Sequence, residues 1–106
     1  MNNRVTTFLL LLLTTLIGAG TVQAQVAVKA DITTNTTWTS NNTYLLDGLI
    51  FVQAGATLTI EAGTVIKGLE KGSITTGDGA AALIVQRGAK IMAEGTAAAP
   101  IVFTSE

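Results

Sequence analysis

Val52-Gln-Ala-Gly-Ala56 returns as Val85-Gln-Arg-Gly-Ala89, displaced by 33 residues. At the same displacement Ile50 meets Leu83, Leu58 meets Ile91, Ile60 meets Ala93 and Glu61 meets Glu94. Gly63-Thr64 then matches Gly95-Thr96 after a one-residue deletion. Alternate positions keep a small or apolar side chain in both copies. The positions between them do not, since Thr57 becomes Lys90 and Thr59 becomes Met92. Such a period marks stacked copies of one supersecondary unit, which bury an apolar face only against each other. It confines the chain to a repeat architecture with a shared interior and a variable outside.

The local texture says which kind of repeat. Residues 49–66 alternate with period two and are interrupted by glycine, as short strands joined by tight turns do; sustained helical periodicity is absent from Tyr44 onward. Ile50 and Val52, and then Leu58 and Ile60, fall on one face, with Thr57 and Thr59 on the other. Gly55 and Gly63 stand where the strands must bend, because glycine takes positive φ without a steric penalty. Between the copies lies Lys67–Ala80, KGLEKGSITTGDGA, with four glycines and much of the charge. It is expected to be a loop that lengthens one turn of a coil; without it the repeat approaches the low twenties usual for a β-solenoid. Ile50, Val52, Leu58, Ile60, Leu83, Val85, Ile91, Ile101 and Phe103 are the expected interior.

The N-terminus has another character. Arg4 precedes an apolar run from Phe8 to Ile17, and Val22-Gln-Ala24 puts small residues where a signal peptidase reads. Residues 1–24 are therefore expected to be a cleaved secretory signal peptide. The run is shorter than the roughly 20 residues of a membrane span, so no integral span is expected after cleavage. No cysteine follows it, which excludes a lipoprotein anchor. Cleavage after Ala24 leaves 82 residues with five basic and seven acidic side chains. A net charge of −2, scattered along the chain, offers no footprint for nucleic acid and no basic patch for an anionic membrane. With no disulfide available, stability must come from apolar packing, and a conventional core of this length is marginal.

Residues 25–43 are polar and rich in Thr and Asn, and are expected to form a lead-in or cap with one or two short strands; residues 44–106 form the coils. Asn35-Thr-Thr37 and Asn41-Asn-Thr43 fit the N-glycosylation pattern and equally fit turns. Trp38 and Tyr44 flank the Asn-rich stretch. Such a pair can stack on a sugar, or it can plug the open end of a solenoid core; the first coil's need to cover its interior favours the plug.

The inventory of reactive side chains excludes several chemistries. Without histidine or cysteine, Ser-His-Asp and Cys-His arrangements and the usual zinc sites are impossible. Gly77-Asp-Gly-Ala-Ala-Ala82 matches a dinucleotide fingerprint in letters, but a strand-like run follows where a helix N-terminus is needed. The carboxylates to weigh are Asp47, Glu61, Glu70, Asp78 and Glu94. Glu61 and Glu94 are equivalent in the two copies and are candidates for a stacked pair, as a cation site or an acid/base couple. Calcium takes about six to eight oxygens, more than two carboxylates supply. Thr57 and Thr59 are not repeated in the next copy, so a flat threonine ladder is not expected. No catalytic, cofactor-binding or metal-binding residue is assigned.

GATLTIEAGTVIKG (Gly55–Gly68), LIVQRGAKIMAEGT (Leu83–Thr96) and Pro100-Ile-Val-Phe-Thr-Ser105 occur in that order, after Thr37-Trp-Thr39 and Tyr44-Leu-Leu-Asp-Gly48. Together they resemble the N-terminal part of secreted right-handed parallel β-helix proteins of the kind that gram-negative bacteria export by the type IX route. The resemblance spans about residues 31–106. It implies an all-β parallel β-helix, an N-terminal cap with two to three coils, a secreted or outer-surface location and a secretion machinery as partner. It carries no general catalytic residues. Such proteins run to hundreds of residues and end in a sorting domain, so a fragment is expected where the chain stops at Glu106. Two roles follow as expectations. One is a non-enzymatic scaffold or adhesin-like surface protein, with extracellular polysaccharide or another cell-surface component as partner and no cofactor. The alternative is the N-terminal part of a β-helix polysaccharide lyase or hydrolase.

Overall fold

The computed structural model describes residues 24–106. The expected signal peptide falls on residues 1–23 and its cleavage junction, outside the described residues but for Ala24. The strands are β1 (Ala24–Val28), β2 (Thr36–Trp38), β3 (Asn42–Leu46), β4 (Leu49–Val52), β5 (Thr57–Ile60), β6 (Val65–Gly68), β7 (Ala82–Val85), β8 (Lys90–Ala93) and β9 (Val102–Ser105). They stack into three parallel sheets. The first holds β1, β3, β6 and β9 in that order; the second holds β4 and β7; the third holds β2, β5 and β8. Each strand pairs with the one that occupies the same side a full coil later. This is a parallel β-helix, three-sided in cross-section.

The register follows the sequence repeat. In the second sheet Ile50 lies beside Leu83 and Val52 beside Val85. In the third, Thr57, Leu58, Thr59 and Ile60 lie beside Lys90, Ile91, Met92 and Ala93. Parallel pairing keeps each residue on its neighbour's face, so period-two alternation in one coil extends into a row along the axis. Ile50, Val52, Leu58, Ile60 and Ile66 are buried in those rows, while Thr57 and Thr59 are only half-covered outside. The turns repeat as well. Ala56 N–H donates to the Gln53 carbonyl (3.0 Å), and Ala89 N–H donates to the Gln86 carbonyl (2.9 Å). Gly55 (φ +89°) and Gly88 (φ +87°) occupy the same corner of successive coils, and Gly55 N–H donates to the Gly88 carbonyl at 2.9 Å. The left-handed backbone there is the reason for glycine.

Residues 25–43 hold short strands, β1 and β2, as expected of the lead-in, and two other sequence expectations need correction. Val26 pairs with Tyr44, Ile32 bridges to Val52 and Thr36 pairs with Leu58, so a complete first coil runs ahead of Tyr44. Its period is short and its loops polar, which hides it from a periodicity search. The loop between the copies starts later than Lys67: Lys67 and Gly68 belong to β6, pairing with Leu45 and Leu46 on one side and Thr104 and Ser105 on the other. The match of Gly63-Thr64 to Gly95-Thr96 is not the structural one. Val65 pairs with Val102, so four further residues are inserted at the corner after β8.

The interior is also displaced along the axis from the expected one. Ile32, Trp38, Tyr44, Leu46, Ala56 and Ile66 join the buried core, with the Trp38 and Tyr44 rings stacked at 4.6 Å and 14°. The pair plugs the first coils, as the open-end argument requires. The Tyr44 hydroxyl oxygen accepts Thr39 N–H (2.9 Å) and Asn42 Nδ2–H (3.2 Å), so it is satisfied at the edge of the plug. Leu83 and Ile101 are half-buried against the core. Val85, Ile91 and Phe103 face inward by register yet remain 38%, 37% and 53% exposed. Among the described residues no coil lies above them, and an inward side chain of a solenoid is buried only between two layers.

An Ile60→Asp chain is expected not to fold, because the carboxylate would stand unpaired between layers. A soluble, protease-resistant mutant would contradict the register. Leu58→Ala is expected to cost about 2–5 kcal/mol in urea denaturation, and Thr57→Ala much less.

Candidate functional site

The most elaborated surface is the insertion after β6. It runs from Leu69 to Ala81, contains a short 3₁₀ turn at Lys71–Ser73, and folds back toward the N-terminal end of the helix. Two carboxylates hold it there. Asp47, buried at the end of β3, accepts both the N–H and the Oγ1 hydroxyl of Thr75, each at 2.6 Å. Asp78, from within the insertion, accepts the N–H of Leu49 at 2.9 Å and the Thr76 hydroxyl at 3.0 Å. Gly48 lies between them, at φ +110°. A Cβ at that position would overlap Thr76 Oγ1 and the Asp78 carboxylate, so the close approach of the insertion requires glycine twice over. The hydroxyl and then the N–H of Thr75 hold the Asp47 carboxyl below the usual carboxylate range, with Lys29 adding a smaller pull in the same direction against the opposing effect of burial.

The same device recurs at the first coil. Asp31 Oδ1 accepts Phe51 N–H at 3.0 Å while its Oδ2 accepts Gln53 Nε2–H at 3.1 Å. Asn35 Oδ1 accepts Thr57 N–H at 3.0 Å. These N–H groups point along the axis toward a coil that is only partly strand there. Side-chain oxygens there replace the missing strand carbonyls. Neither residue is marked by the repeat or by the period-two alternation. The available signal was the high Asx content of the polar segment, which favours local side-chain-to-backbone bonding.

The remaining candidates separate as follows. Glu61 and Glu94 do border one depression of about 200 Å³, with Thr59, Ile60, Ala62 and Met92. Glu61 also accepts Ser40 N–H at 3.2 Å, so it too serves the backbone. Glu70 is exposed beside the 3₁₀ turn. Among the described residues no three acidic, histidine or cysteine side chains come together as a metal site. Outward threonines align as Thr37 beside Thr59, and the row then meets Met92. The segment Gly77–Ala82 leads into strand β7 and not into a helix, so the fingerprint lacks the context phosphate binding needs. The buried Trp38 and Tyr44 rings leave no sugar-stacking face. The larger depression, about 480 Å³, is the open end of the last coil; Leu83, Val85, Ile91 and Phe103 are among the side chains that line it.

A three-sided parallel coil with a loop inserted at one corner defines a class, the parallel β-helix domains. Within it, residues 30–106 match the family model of the pectate-lyase-like β-helix domain, and the chain belongs to that family. Comparison with curated proteins and with solved structures found no match.

Asp47 supplies a pH test. A carboxyl held below its ordinary range stabilises the fold fully above the unfolded value of about 3.9, and that contribution is lost as pH falls through the depressed folded value. The native chain is therefore expected to lose more melting temperature than Asp47→Asn when pH falls from about 5 to about 2. Parallel melting curves against pH would contradict this. Gly48→Ala is expected to release the insertion, seen as protease cleavage between Leu69 and Ala81 while the coils stay resistant.

Proposed function

We propose that this chain is part of a non-enzymatic, exported β-helix scaffold, adhesin-like, held at the outer cell surface or secreted. The observation that carries the proposal is the use of its carboxylates. Asp31, Asp47, Asp78 and Glu61 each accept a backbone N–H, and so act as structural staples. A carboxylate whose oxygens are engaged in this way is not free to meet a substrate proton. The outside of the coils varies from layer to layer, which suits a surface carrying different contacts on one frame. The leader-like residues 1–24 support export through a cleaved signal peptide, and the resemblance of residues 31–106 supports the type IX machinery as the route. The partner class is extracellular polysaccharide or another cell-surface component. The scattered net negative charge argues against nucleic acid.

Membership in a pectate-lyase-like family favours a second role, as the N-terminal coils of a polysaccharide lyase or hydrolase. Incubation with polyuronates in the presence of Ca²⁺ distinguishes the two. The scaffold predicts no unsaturated uronide product, and robust turnover would replace it with the enzyme. Expression with its leader is expected to yield an exported chain whose N-terminal residue is Gln25, as read by N-terminal sequencing.

A further inference from the structure

Asp47-Gly48 and Asp78-Gly79 are the two Asp-Gly pairs of the chain, and they come together at the base of the insertion. In such a pair the glycine nitrogen can close on the aspartate carboxyl, because no Cβ shields it. The structure treats the two pairs oppositely. Asp47 is 2% exposed, and Thr75 occupies both of its oxygens, with the N–H on Oδ1 and the hydroxyl on Oδ2. Asp47 N–H donates to the Val28 carbonyl (2.9 Å), and the Gly48 carbonyl accepts Ala82 N–H (3.1 Å). Side chain and backbone are both fixed there, which opposes ring closure. Asp78 is half-buried, and its two donors converge on a single oxygen. Leu49 N–H (2.9 Å) and the Thr76 hydroxyl (3.0 Å) both reach Oδ2, while Oδ1 receives no hydrogen bond among the described residues. Gly79 is exposed and has open space where a Cβ would stand. It makes no backbone–backbone hydrogen bond among the described residues.

We propose that Asp78-Gly79 is a self-modification site, where Asp78 isomerises to isoaspartate with the help of the two donors that hold Oδ2. The Gly79 nitrogen attacks Cγ of the neutral carboxyl and forms an N–Cγ bond. Negative charge gathers on Oδ2, and the donors at 2.9 and 3.0 Å stand within the roughly 2.7–3.1 Å that stabilises an oxyanion. Oδ1 leaves as one water, carrying its own proton and the Gly79 amide proton, and a succinimide ring results. Water then adds at the main-chain carbonyl carbon of Asp78 and breaks its bond to the Gly79 nitrogen. The main chain now runs through Cγ, the freed main-chain carboxylate becomes the side group, and the mass is unchanged. Addition at Cγ instead regenerates Asp78. Water is the only other reactant, released in the first step and consumed in the second. Isomerisation removes the carboxylate that ties the insertion to Leu49, while the tie from Asp47 to Thr75 persists. The insertion is thereby loosened at one of its two anchors as the protein ages.

The test is to incubate the full chain in mildly acidic buffer, native and in urea, and to locate isoaspartate by peptide mapping. A protease that cuts before aspartate and not before isoaspartate reads both sites. An Asp-Gly pair that reacts only through its flexibility isomerises faster in urea. Conversion at Asp78 is expected to be several-fold faster in the native chain than in urea, and conversion at Asp47 slower. Thr76→Val removes one donor to Oδ2 and is expected to bring the native rate at Asp78 down toward the rate in urea. Thr76→Ser keeps the hydroxyl and is expected to keep the native rate. Thr76 is exposed and lies outside the coils, so neither change threatens the fold. Conversion at Asp78 no faster in the native chain than in urea, or an unchanged native rate in Thr76→Val, would overturn the proposal.

Discussion

Leu58 has β2 on one side of it and β8 on the other, and no exposed surface. Ile91, one coil later in the same row, has a neighbour on one side only and is more than one-third exposed. The difference between them is not chemical. In a stack of parallel coils, a layer is buried by the layers above and below, so apolar burial is a property of the neighbour relation. Much else in the structure serves that relation. The glycine corner at Gly55 and Gly88 repeats so that successive turns superpose, and loops of different length are pushed outward so that the strands can keep register.

Backbone groups impose the second demand. A coil of short strands exposes N–H groups wherever the next layer is incomplete, and unpaired groups of this kind are costly when covered and adhesive when not. Here the remedy is carboxylate and amide oxygens. Asp31 and Asn35 stand in for a strand at the first coil, and Asp78 reaches back from the insertion to Leu49. Asp47 performs the complementary task by anchoring the insertion itself. One side-chain chemistry therefore accounts for the N-terminal cap and for the decorated corner. It also explains how a chain without disulfides can keep a 13-residue excursion in one place.

The coils around the repeat were legible before any coordinates. Ile50, Val52, Leu58 and Ile60 lie where a displacement of 33 residues and period-two alternation put them, and their outward neighbours Thr57 and Thr59 face Lys90 and Met92 as the same displacement demands. The first coil was not legible. Val26 and Ile32 lie in a segment whose period is shorter and whose polar residues serve the edge, so neither alternation nor a repeat reveals them. The caps at Asp31 and Asn35 escaped for a related reason. A single Asx residue before a strand has no sequence period, and its partner N–H lies 20 or 22 residues away. The pair Glu61 and Glu94 was correctly placed on one flank, while the engagement of Glu61 by Ser40 depends on the first coil and could not be inferred from the repeat.

The sequence by itself determined the periodicities: which residues alternate, where glycine allows a corner, and which copy stacks on which. Those are local or additive properties, and pattern alone carries them. The tertiary structure decided which inward residues are truly covered, where the insertion lies, and what the carboxylates do. Each of these depends on distances between atoms far apart in the chain. Whether a side chain is buried, or an acid is a staple and not a free base, is settled by what lies across from it in the next coil.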